Sequence, residues 1–135
     1  MSTAFDLQAQ ARAIELANLS PCGIQHGVVI TKHEKILGEG FNYTIGEAGV
    51  HAEIDAIHDA LKRCGGDKKK LWGARLISVG IRKKTGKFVQ TARPCEHLGP
   101  RKNAAGAPCM KKIREAGINK IEYTTSSGEW CEEDI

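Results

Sequence analysis

HAEIDAIHDALKRCGG, residues 51–66, is the stretch from which both the fold and the chemistry are read. Ile57, Ala60, Leu61 and Cys64 fall on one helical face, and Gly65-Gly66 ends the run as a C-terminal cap does, so residues 50–64 are expected to form a helix. His51 and Glu53 lie at its start. Two residues apart on a regular helix point in nearly opposite directions, so these two side chains can face one cavity only if His51 precedes the first turn. Gly49 just before it permits that departure.

Outward from this helix, Leu7, Ala11, Ile14 and Ala17 or Leu19 recur at near-helical spacing and predict an amphipathic helix over 4–19, ended by Pro21 and Gly23. Residues 27–31 and 36–42 flank a polar turn and read as a β-hairpin. A glycine-containing loop around Gly46 and Gly49 leads into the 51–66 stretch. Beyond it, 74–81 and 88–91 read as strands on either side of the Lys83-Lys84-Thr85-Gly86 turn. Residues 92–108 read as a loop, 109–116 as a short helix stopped by Gly117, and 118–125 as a last strand. The order implies an α/β domain built on one sheet.

Three pieces carry chemistry: His51-Ala52-Glu53 opening one helix, Pro94-Cys95 after a strand, and Pro108-Cys109 opening the next helix. One imidazole and two thiolates leave a fourth tetrahedral position open on a zinc ion. Cys109 sits where unpaired helix N–H groups favour a thiolate. His97 in place of Cys109, or Cys64 or Cys131 completing a closed structural site, are the alternative ligand sets. His26, His33 and His58 read as strand edge, turn and helix face. Cys22 and Cys64 read as core thiols, and Cys131 as part of an exposed acidic tail.

His-x-Glu followed by Pro-Cys and Pro-Cys resembles the zinc-binding signature of the cytidine deaminase superfamily, which includes cytidine, deoxycytidylate and transfer-RNA adenosine deaminases. The resemblance spans roughly residues 27–123. The spacing departs from the pattern: thirteen residues, Glu96 to Pro108, separate Cys95 from Cys109 where the family has two. The segment after Cys109, a short helix, a glycine and an apolar strand, again resembles the family. Lengthening a loop costs only about 0.6 kcal/mol per doubling, so both sulfurs can converge while the insertion bulges.

The resemblance implies a three-layer α-β-α sandwich around a mixed five-stranded sheet. It implies Zn2+ held by His51, Cys95 and Cys109, with Glu53 as the catalytic proton carrier. It also implies substrate contacts from Asn42 and the backbone of Ala52, with N–H groups at the start of the third helix supporting the tetrahedral centre. The expected reaction converts a cytosine base to uracil in a free nucleoside or nucleotide, by a protein that assembles as a dimer or tetramer. Purine deamination, editing of single-stranded nucleic acid, and a non-catalytic zinc-stabilised binding module are the alternatives. Trp130 and Tyr123 offer stacking faces or, more simply, packing contacts. Arg93 suits a phosphate or a surface ion pair.

Composition bounds these readings. At 135 residues, 41% hydrophobic and 27% charged, the chain is expected to be a single domain, 1–135, neither disordered nor fibrous. It has no apolar run of membrane-spanning length and no signal-peptide pattern, which predicts a cytoplasmic protein. Five cysteines, an odd number, fit reduced thiols or metal ligands better than a disulfide framework. The net charge of +4 is unevenly spread: between Lys62 and Lys87 ten basic residues face one acid, Asp67. That stretch reads as solvated surface or as a rim that attracts phosphates.

Overall fold

The computed structural model describes residues 3–97 and 107–135, so most of the loop between Cys95 and Cys109, with Leu98, lies outside the described residues. Helix α1 (Ala4–Leu19) starts at a capping box in which Thr3 and Asp6 exchange side-chain and backbone hydrogen bonds. Strands β1 (Ile24–Lys32) and β2 (Lys35–Phe41) form the expected hairpin, with His33 and Glu34 at positive φ in its turn. The glycine-containing loop is itself a small hairpin, β3 (Tyr43–Ile45) and β4 (Ala48–Val50). Helix α2 (Ala52–Arg63), a 3-10 turn (Lys68–Leu71), strand β5 (Arg75–Arg82), helix α3 (Cys109–Glu115) and strands β6 (Lys120–Thr124) and β7 (Trp130–Asp134) complete the order.

The main sheet has five strands in the order β2-β1-β5-β6-β7. It is mixed: β5 and β6 run parallel, and the other neighbours are antiparallel. Strand alternation divides the core into two layers. Val29, Ile77, Val79 and Ile81 face α1, whereas Val28, Ile30 and Leu76 face α2 and α3. This is the α/β sandwich expected of the fold.

Glycines set how closely the helices approach. A Cβ on Gly27 would strike the backbone of α1 at Ala13 and Ala17, and one on Gly38 or Gly40 would lie 2.5 Å from the backbone of Ala56 in α2. Close approach leaves room only for small side chains, so the inner face of α1 is Ala9, Ala13 and Ala17 with Leu16 and Gln10. Of the face expected from Leu7, Ala11, Ile14 and Ala17 or Leu19, Ala17 and Ile14 meet the core, while Leu7, Ala11 and Leu19 turn outward; Leu7 is 58% exposed.

Two further expectations are corrected. Residues 88–91 are not a strand; Phe88 and Thr91 make only isolated bridges, to Ile81 and Thr125. The fifth strand comes from the acidic tail, whose Trp130–Asp134 pair with β6 and whose Trp130 packs against the α1-side core. Cys131 is half-buried on that strand.

Candidate metal centre

Helices α2 and α3 both begin near the C-terminal ends of the parallel pair β5 and β6, the end where α/β sheets open a crevice for ligands. His51 is the residue before α2, with extended backbone (φ −77°, ψ 148°), so its side chain leaves the helix before the first turn. Cys109 is the first residue of α3, after Pro108 at the cap. Cys95 comes after a segment moored to both strands: the Ala92 N–H donates to the Thr124 carbonyl at 2.9 Å, and Ser78 Oγ donates to the Ala92 carbonyl at 2.9 Å.

These three elements bring His51, Cys95 and Cys109 together. Their ligand atoms all lie within 4.8 Å of one another. His51 Nδ1 is 3.0 Å from Cys109 Sγ, and the Cys109 N–H donates to Cys95 Sγ at 3.2 Å. Tetrahedral zinc with its usual bond lengths needs such donors about 3.5–3.8 Å apart, so small side-chain movements suffice to seat the ion. The donor set fits Zn2+. Among the described residues no other group of His, Cys, Asp and Glu converges in this way; His97 is exposed, and Cys64 and Cys131 lie elsewhere.

The site is electrostatically prepared for a cation. Hydrogen bonds from the Cys109 thiol and from His51 push Cys95 down to about 4. The Cys109 thiol is raised, first by sharing its proton with Cys95, then by burial and by the nearby Glu53 carboxylate. His51 is raised by its hydrogen bond to Cys95. A divalent cation would serve as a shared partner for all three side chains in place of their protons.

Glu53 is buried at 7% exposure, in the first turn of α2, and reaches the Cys109 sulfur. His26 joins it. Burial lowers the pKa of this imidazole, as does His51, while Glu53 opposes them. Its ring lies above Gly80, where an added Cβ would come 3.0 Å from His26 Cε1. The sequence signal for this was the alternation in β1: His26 shares parity with Val28 and Ile30, which point toward α2, so it is a residue of the site's face and more than a strand edge.

Asn42, the start of α3, Arg93 and Tyr123 each make structural hydrogen bonds, whereas the Ala52 N–H makes none within its helix. Asn42 uses both ends of its amide on β1, accepting from the His26 N–H at 2.8 Å and donating to the Ile24 carbonyl at 2.8 Å. The first two N–H groups of α3 go to Cys95, one to its sulfur and the Met110 N–H to its carbonyl at 3.0 Å, which removes them as supports for a tetrahedral centre. Ala52, fully buried, opens α2 with an N–H that has no partner within the helix. Arg93 pairs with Glu133 and Glu96, and Tyr123 donates to Glu133 at 2.6 Å, so these two tie the tail strand down.

Residues 4–125 match the protein family described as the cytidine and deoxycytidylate deaminase zinc-binding region. Among solved structures, a diaminohydroxyphosphoribosylaminopyrimidine deaminase/5-amino-6-(5-phosphoribosylamino)uracil reductase from Thermotoga maritima is 32% identical over 84% of this chain, with a TM-score of 0.55. RibD from Acinetobacter baumannii is 25% identical over 87% of the chain, TM-score 0.58. This chain spans only 27% of the length of each of those proteins. A cytidine deaminase from Burkholderia pseudomallei shares the fold at 16% identity, with 98% of this chain and 93% of that one covered and a TM-score of 0.64. No curated protein matches the chain.

Proposed function

Because this chain belongs to the cytidine and deoxycytidylate deaminase zinc-binding family, we propose that it hydrolytically removes the exocyclic amine of a pyrimidine carried on a free nucleoside or nucleotide, cytosine giving uracil. The observation that carries the reading is the convergence of three zinc-type donors beside a buried, non-ligand carboxylate. A cage that only stabilised the fold would have no use for Glu53.

In this reading His51, Cys95 and Cys109 would hold Zn2+ through the imidazole and the two sulfurs. When bound, zinc would supply a Lewis acid that lowers the pKa of a water toward about 7. Glu53 accepts a proton from the attacking water and delivers it to the ring nitrogen next to the carbon that bears the amine. It then carries the second proton to the departing nitrogen, so water enters and ammonia leaves. The Ala52 N–H faces charge developing on the attacked carbon's oxygen. Asn42 contributes by holding β1 and the His26 backbone at the mouth of the site, and its remaining acceptor capacity is open to a sugar hydroxyl.

A second reading is favoured by the 32% identity to the Thermotoga protein: the amine removed is on a diaminopyrimidine carried by phosphoribose. Ammonia release distinguishes the two. Zinc-loaded protein is assayed against cytidine, deoxycytidine, their monophosphates and the diaminopyrimidine ribotide, with adenosine, guanine and single-stranded DNA alongside. Release from a pyrimidine nucleoside or nucleotide, abolished by chelation and restored by zinc, supports the proposal. Equal release by chelated and zinc-loaded protein contradicts it.

Editing of nucleic acid is not supported by the charge layout. Lys68–Lys70 precede β5 and Lys83–Lys87 come after it, so an eight-residue strand, about 26 Å, separates them. Arg63 and Arg75 are already paired with acids, the first with Glu39 and Asp59, the second with Asp6, Glu122 and Glu132. The stretch is continuous in sequence and divided in space.

A further inference from the structure

We propose that Glu96 is a positioning residue of the metal centre, clamping the segment that carries Cys95 onto the helix that begins with Cys109. The inference rests on the proposed metal site. When two cysteines are separated by two residues, the chain itself keeps the sulfurs together. Here thirteen residues intervene, so closeness in sequence does not set the distance between the sulfurs. Contacts between the two segments have to fix that distance.

Glu96 is the residue after Cys95 and is held from two sides. Its Oε1 accepts from Arg93 at 2.9 Å, and Arg114, on α3, reaches Oε2 at 3.2 Å and Oε1 at 3.3 Å. Arg93, on the other flank of Cys95, is in turn forked onto Glu133 of β7 at 2.8 and 3.3 Å. Cys95 is thus bracketed by two residues of one ionic network, and that network ends on the same short helix that supplies Cys109. A lone exposed ion pair contributes little, but this one is bidentate, shared by two guanidiniums and continued into a third element. Both cysteines also touch directly, through the Cys109 N–H to Cys95 Sγ and the Met110 N–H to the Cys95 carbonyl. The clamp closes over those contacts from outside.

The test uses the full chain stripped of metal and reloaded, with Glu96→Gln, Arg114→Gln, Arg114→Lys and the Glu96→Gln/Arg114→Gln double variant. Zinc affinity is read by chelator competition, and the thiolate-to-metal and ligand-field absorption bands are read on the cobalt-loaded proteins. The expected result is a roughly tenfold loss of zinc affinity in Glu96→Gln and in Arg114→Gln. The double variant should be no worse than either single one, and Arg114→Lys should recover only part of the loss, because an ammonium cannot reproduce the fork. The cobalt bands shift while thermal unfolding of the metal-free proteins stays at the wild-type midpoint. Wild-type affinity and wild-type cobalt bands in all variants would overturn the clamp and leave the metal site standing. So would affinity losses that merely track lowered metal-free stability. Failure of the wild-type chain to bind zinc at all would overturn the clamp together with the reading on which it rests.

Discussion

Glu53 is the residue whose chemistry separates an enzyme from a zinc-stabilised fold. It is buried in the first turn of α2, next to the Cys109 sulfur, yet it is not among the converging donors. Glu53→Gln keeps the shape and removes the proton shuttle. It is expected to retain one zinc per chain while ammonia release falls by about 10²–10⁴-fold. Metal analysis and steady-state assay on the same preparation check both halves, and unchanged turnover would exclude the assigned role. Cys95 and Cys109 were legible in the sequence because each follows a proline at the edge of an element, and His51 because it opens a His-x-Glu motif at a helix start. His26 was not, since a histidine in a strand reveals its side only when the register of its neighbours is known. Asn42 was legible as an asparagine at the end of the second strand, but its amide ties to β1 were not, because they depend on how the chain beyond β2 lies against β1.

Among the elements, the helices are placed by what the strands lack. Gly27 lets α1 rest on the sheet through alanines, and a side chain there would collide with the α1 backbone. Gly27→Ala is expected to destabilise the protein by about 3 kcal/mol, the upper end for overpacking, and urea unfolding measures it. A loss under about 0.5 kcal/mol would mean that α1 shifts freely on the sheet. This spacing also explains why the helix at 4–19 could be read from the sequence while its buried face could not: leucines ordinarily mark the inner face, and here the close approach selects Ala9, Ala13 and Ala17. The tail strand β7 was hidden for a related reason. Its acidic residues look like solvated surface until Arg75, Arg93 and Lys120 are found opposite them.

That tail predicts a pH dependence. The Arg93 guanidinium and then the Tyr123 hydroxyl hold the Glu133 carboxyl below its ordinary value, and Tyr123 is correspondingly pushed up to about 12, with Glu133 the main cause. A carboxylate depressed in the folded state adds stability above its unfolded pKa, about 4.3, and loses it as pH falls through the folded value. Wild type should therefore be more stable than Glu133→Gln at pH 7, with the gap closing as the solution is acidified below about pH 4. A gap that persists in strong acid would show that packing, rather than charge, holds β7.

Over the whole molecule, the mixed sheet collects the starts of two helices and the segment beyond Ala92 at one end, and the basic stretch is split: the end of α2 and Lys68–Lys70 come before β5, whereas Arg82, Lys83, Lys84 and Lys87 come at its end and beyond. The basic end of α2 is about 18 Å from His51, one helix length away. Turnover of a small nucleoside or nucleotide should consequently change little between about 50 and 200 mM salt, whereas a protein that grips a polynucleotide through several phosphates loses orders of magnitude of affinity over that range. Parallel assays of ammonia release and of single-stranded DNA binding across that range decide the matter. A steep salt dependence of both would return the basic stretch to the active surface. No described helix is long and apolar enough to cross a membrane.

The metal centre itself is open to zinc-edge X-ray absorption on the purified, zinc-loaded chain. The expected spectrum has two sulfur neighbours at about 2.3 Å, one nitrogen at about 2.0–2.1 Å, and a fourth light atom that exchanges with an added oxygen or nitrogen ligand. A shell of four protein donors that no added ligand perturbs, or one with fewer than two sulfurs, would contradict an open His51, Cys95 and Cys109 site.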